Sequence, residues 1–104
     1  IVQKLTAAWA IRLEVVQRSD SQRKLSNERS ELTEASEETR RNLRAIEKNK
    51  MAEALRGKLT SRLAEVATRI DDVTKQIVEL DSKLAELRVR FREAVREVKV
   101  AAAP

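Results

Sequence analysis

Cysteine and histidine are absent from this chain. That removes disulfides, thiol nucleophiles, imidazole acid–base chemistry and the usual zinc ligands together, and leaves the redox compartment open. One glycine, one proline and two aromatic residues, Trp9 and Phe91, make a composition suited to long helices and wrong for a sheet protein. The longest apolar run, Ala7-Ala8-Trp9-Ala10-Ile11, is far short of the ~20 residues that cross a bilayer, so no membrane span is expected. The sequence starts at Ile1 with neither an initiator methionine nor a signal-peptide pattern, and we read it as a piece of a longer protein.

What is present is a seam. Leu59, Leu63, Val66, Ile70, Val73, Ile77, Leu80, Leu84, Leu87, Phe91, Ala94 and Val98 follow one another in unbroken steps of four and three. That spacing keeps a narrow apolar stripe turned toward a partner helix, whereas a strand would need period two. The expected fold is all-α, a long antiparallel two-helix coiled-coil hairpin. Its first arm covers residues 1–46, the turn 47–51 and the second arm 52–100, with a frayed tail at 101–104. Asn49 is the best turn or cap residue in the polar gap between Ile46 and Met51.

A chain folded back there pairs Ile46 with Ala52, Leu43 with Leu55, Thr39 with Leu59, Leu32 with Val66, Leu25 with Val73, Val15 with Leu84, Ile11 with Leu87, Ala8 with Phe91 and Ile1 with Val98. Each arm would then run roughly 70 Å. Opposite Ile70, Ile77 and Leu80, however, the first arm offers Arg29, Gln22 and Arg18. Either their long stems lie along the stripe, or a second copy covers it, making a homodimer and a four-helix bundle. A rival reading breaks the first arm at Ser19-Asp20-Ser21-Gln22, where Ser19 and Gln22 have capping-box spacing; without glycine or proline to support the break, a continuous arm is preferred.

Two surfaces stand out. Near the start, a second apolar row of Val2, Leu5, Trp9, Leu13 and Val16 runs beside the seam, too much for a two-helix interface. Leu5, Trp9, Leu13 and Val16 are therefore a candidate docking face for a protein partner or a neighbouring domain of the parent protein, with Trp9 as anchor. Near the turn, residues 40–62 carry the bases Arg40, Arg41, Arg44, Lys48, Lys50, Arg56, Lys58 and Arg62 against the acids Glu47 and Glu53, a net of +6 in a chain of net charge +5. This basic tip could meet an anionic surface or an acidic partner.

Elsewhere the charge signs alternate, which argues against a stripe that tracks nucleic acid. The Arg88-Val89-Arg90-Phe91-Arg92 segment has Glu86, Glu93 and Glu97 around it, and Phe91 falls on the seam. Adjacent acids such as Asp71 and Asp72 point about 100° apart on a helix, so they cannot share a substrate, and neither catalysis nor a metal or cofactor is expected. Gly57 is expected to mark close helix approach or a soft point within the second arm.

The segments Arg40-x-Asn42-Leu43-x-Ala45-Ile46, Leu55-Arg56-x-x-Leu59-x-x-Arg62-Leu63 and Leu87-Arg88-Val89-Arg90-Phe91-Arg92-Glu93-Ala94 resemble a helical segment of bacterial mucoidy-inhibitor-A-like proteins. The likeness covers a little over half the chain, while Ser36 to Thr39 is more polar than that pattern. It implies a bacterial cell-envelope protein, with no catalytic residues carried over. The function expected from the residues themselves is that of a structural and interaction coiled-coil module, a rigid spacer or assembly element, and not an enzyme. The competing expectations are a nucleic-acid-binding arm shaped like that of seryl-tRNA synthetases, whose motifs are missing here, and a chaperone-like or secretion-adaptor hairpin.

Overall fold

In the computed structural model, which describes residues 1–103, the chain forms two helices, α1 (Val2–Ile46) and α2 (Glu53–Ala102), joined through a short 3-10 turn at Lys50–Ala52. They pack as a helical hairpin. α1 ends where the apolar pattern stops, at Ile46. Asn49 takes an extended conformation, φ −89° and ψ 106°, and its Oδ1 accepts a hydrogen bond from the Met51 amide at 2.9 Å. It thereby caps the turn that reverses the chain, as small polar side chains do at helix starts. Glu53 in the first turn of α2 and Arg44 in the last turn of α1 complement the helix dipoles.

α1 is continuous through Ser19-Asp20-Ser21. The Ser21 hydroxyl donates to the Gln17 carbonyl at 3.2 Å, and Thr6, Thr33, Thr39 and Thr68 bond likewise to the carbonyl four residues back. With the hydroxyl bonded inside the turn, these residues sit in a helix without ending it. At the other end α2 continues to Ala102, two residues beyond the expected end of the second arm at 100, and the Ala103 amide bonds to the Val100 carbonyl at 3.3 Å. Pro104 lies outside the described residues.

The packing falls into two compact units. One joins Ile1–Lys24 to the chain from Ile77 onward. Its core is Val15 with Leu84 and Leu87, and Ile11 packs against them, which matches the expected layers. Ala8 and Ile77 are buried as well. Within this unit the Gln22 amide bonds to the Asp81 carboxylate, so Gln22 occupies a seam position with its polar end tied to the rim. Arg18 likewise keeps its guanidinium on Glu14, 2.9 Å away. Long stems along the stripe and polar ends at its edge are how such residues fill an apolar seam.

The second unit is Leu25–Gln76. Val73 is fully buried there, and on the α1 side Ser36 and Thr39 are buried. Thr39 was expected on the seam and Ser36 was not; both are small enough to let the helices close, and Thr39 Oγ1 bonds to the Ala35 carbonyl at 2.8 Å. Among the described residues no buried side-chain nitrogen or oxygen lacks a partner. In this unit one expectation fails, and so does one of the two alternatives for Gly57. Leu55, expected to face Leu43, is 48% exposed, and the next residue, Arg56, is half-buried in its place. At Gly57 a Cβ would meet nothing within 4 Å, so this glycine does not mark close helix approach.

Candidate functional site

The seam settles which residues can face outward. On α1 the seam steps through Ala8, Ile11, Val15, Arg18, Gln22, Leu25, Arg29, Leu32, Ser36, Thr39, Leu43 and Ile46, all buried or half-buried. Residues immediately after seam positions lie on one flank of a helix and residues immediately before them on the other. In an antiparallel pair the matching flanks of the two helices fall on the same side. This rule sorts both candidate surfaces.

The apolar row near the start of α1 is exposed as expected: Leu5 51%, Trp9 72%, Leu13 51% and Val16 42%. It shares a side with Arg12, because Trp9 lies three residues before Arg12 and Val16 four after it. Arg12 in turn lines a groove of about 400 Å³ together with Val15, Phe91, Arg88 and Arg92. The groove continues along α2 past Val95, Arg96 and Lys99. The structure therefore places a cationic row on α2 beside the apolar row on α1, within one compact unit.

Sequence reasoning missed this second row. Glu86, Glu93 and Glu97 neutralise Arg88–Arg92 in a linear count, yet they precede the seam residues Leu87, Ala94 and Val98, whereas Arg88 and Arg92 follow Leu87 and Phe91. The acids occupy the opposite flank. The signal available in the sequence was the four-residue spacing of Arg88, Arg92 and Arg96. Phe91 is half-buried, part of the seam and also part of the groove wall. Among the described residues, Arg12, Arg88, Arg92 and Arg96 form no ion pair.

The basic tip is more divided than its composition implied. Arg40 and Arg44 follow Thr39 and Leu43 on one flank, while Lys58 and Arg62 precede Leu59 and Leu63 on the other. Arg62 shares its hollow with Glu38, Thr39 and Asn42 of α1, and Lys58 and Arg62 share a shallow patch with Glu65. Arg41, Lys48 and Lys50 are exposed. Arg56 turns inward, with Nη1 2.5 Å from the Asn49 carbonyl, 3.2 Å from that of Ile46 and 3.5 Å from that of Glu47. Its guanidinium satisfies carbonyls that the end of α1 leaves open. Arg56 is thus an element of the turn, and the remaining bases are spread over two sides and the end of the hairpin.

Between the arms, Arg69 bridges to Glu28 at 2.6 Å and to Asp72 at 3.0 Å. Along the helices, Glu14 pairs with Arg18 at four-residue spacing, and Asp20 with Arg23 and Lys83 with Glu86 at three-residue spacing. No group of three or more acids that could hold a metal ion occurs among the described residues. No helix among them is long and apolar enough to cross a membrane. Comparison with protein-family models, curated proteins and solved structures finds nothing that matches this chain.

Proposed function

We propose that this chain is a structural and interaction module, a coiled-coil hairpin whose role is to engage a protein partner or a neighbouring domain of its parent protein. The observation that carries the reading is the exposure of Trp9 together with Leu5, Leu13 and Val16 on a helix whose other apolar stripe is already covered. An ordered apolar row of two heptads, beyond what the hairpin itself buries, is the feature expected of an assembly surface. The basic tip is a second contact region, for an anionic surface or acidic protein, through Arg40, Arg41, Arg44, Lys48 and Lys50. The likeness of residues 40–98 to mucoidy-inhibitor-A-like proteins supports a bacterial cell-envelope setting.

The test is a pair of substitutions, Trp9→Glu with Leu13→Glu, in the chain's native cell. Both sites are exposed, so helical content and melting temperature should stay close to those of the parent. Proximity labelling should lose a defined set of neighbours. An unchanged set of neighbours would contradict the reading.

A further inference from the structure

The apolar row of α1 and the arginine row of α2 share one side of one compact unit, and their combined chemistry is more specific than either alone. We infer that this face docks an acidic amphipathic helix, which lies along the groove between the two rows as a third helix. The inference deepens the interaction reading above and rests on it.

Shape is the first argument. The groove is concave, floored by Val15 and Phe91 and walled by Arg12, Arg88 and Arg92. A helix is convex and can fill it, whereas a flat lipid surface would leave its floor uncovered. Spacing is the second. Val2, Leu5, Trp9, Leu13 and Val16 advance in steps of three and four, the interval at which a neighbouring helix presents its own apolar knobs. Charge is the third. Arg88, Arg92, Arg96 and Lys99 recur at helical spacing along the other edge, and the acids of this stretch of α2, Glu86, Glu93 and Glu97, belong to the opposite flank. A helix lying there must place apolar residues against the Trp9 row and carboxylates against Arg12 of α1 and the arginines of α2. Guanidinium groups suit this task because their fork geometry matches carboxylates, and like charge on the incoming helix would be repelled.

The probe is a fluorescein-labelled 21-residue peptide of three heptads, with leucine on its apolar face and glutamate along one flank. A twin carries lysine in place of glutamate. Fluorescence anisotropy against the intact chain should show the glutamate peptide binding at least about tenfold tighter than the lysine twin. Trp9→Ala should weaken the glutamate peptide by about tenfold. The triple variant Arg88→Glu, Arg92→Glu, Arg96→Glu should invert the preference. Circular dichroism verifies that this variant stays helical, and the milder Arg88→Gln, Arg92→Gln pair, expected to abolish the preference, replaces it if it does not.

Equal binding of the twins, or preference for lysine, with Trp9 still required, would overturn the acidic-helix inference and leave the interaction reading intact. Binding of neither peptide, with Trp9 emission unmoved, would overturn the inference, while the native neighbours lost on Trp9→Glu decide the broader reading separately. Phosphatidylserine vesicles that shift Trp9 emission and displace the glutamate peptide would replace the helix with a lipid surface.

Discussion

Arg69 of α2 reaches across to Glu28 of α1, with Nε 2.8 Å and Nη2 2.6 Å from the same carboxylate oxygen, while its Nη1 donates to Asp72 at 3.0 Å. One guanidinium thus ties the two helices together and braces its own. The hydrogen bond to Glu28, and then the charge of Glu28, raise the Arg69 pKa above its ordinary value. A cation with a raised pKa contributes fully below its unfolded value and loses that contribution only as pH climbs through the folded one. On the arginine side the bridge is therefore constant across the neutral range. Salt is what should weaken it, because the pair is open to solvent. Thermal unfolding of Arg69→Gln should show a deficit against the parent at low salt that shrinks at about 1 M, where screening acts within ~3 Å. A deficit independent of salt would contradict this role.

Arg56 makes the reversal rather than displaying charge at it. Arg56→Ala removes the donor to the Ile46 and Asn49 carbonyls and should cost about 1 kcal/mol, with faster amide exchange in the last turn of α1. Arg56→Lys, which keeps the charge and loses the fork, should fall between the two. Arg44→Ala, exposed on α1, should cost only its helix-dipole contribution, about 0.3 kcal/mol, in the same urea titration. Equal losses at Arg56 and Arg44 would refute the cap.

Gly57 sits in the interior of α2 with open space where a Cβ would be. Gly57→Ala should stabilise the hairpin by roughly 0.5–1 kcal/mol, through helix propensity and a less free unfolded chain. Destabilisation would show a contact at this position.

Leu87 is fully buried in the core of its unit, and Leu55 is about half exposed. Leu87→Ala should cost about 2–4 kcal/mol, and Leu55→Ala less than about 0.5 kcal/mol. Reversed magnitudes would place the seam on the wrong face.

Gln22 tests the polar part of the seam. Replacing it with leucine removes the bond to Asp81 and adds apolar surface beside Ile77 and Leu80. The change should stabilise the pairing by about 1 kcal/mol while loosening its register, since a polar seam residue discriminates between alignments. Lower stability in chemical denaturation would mean that the Gln22–Asp81 bond is worth more than the buried leucine.

The helices and their pairing were legible because the seam of α2 is uninterrupted and Asn49 stands in the one polar gap. What was not legible has a common cause. Leu55 and Arg56 both fit a helix there, and only the three-dimensional closure of the turn shows that the guanidinium, not the leucine, is needed next to the Ile46 carbonyl. Ser36 reads as a surface residue because hydrophobicity ranks it low, yet its small size suits a close layer. The arginine row was hidden by counting charge along the chain, where Glu86 and Glu93 flank it, instead of around the helix, where they are turned away.

Both surfaces depend on one reversal, at residues 47–49, that brings Arg12 beside Arg88 within a single chain. The decisive measurement is the distance between spin labels at Arg12→Cys and Arg88→Cys, with labelled chain diluted into an excess of unlabelled chain so that only intramolecular pairs contribute. The hairpin predicts a distance of about 20 Å or less, given helix axes ~10 Å apart and the reach of the labels. Loss of the short distance on dilution, or its replacement by one beyond about 50 Å, as helices running on without reversal would give, would show that the seam is closed between chains and not within one.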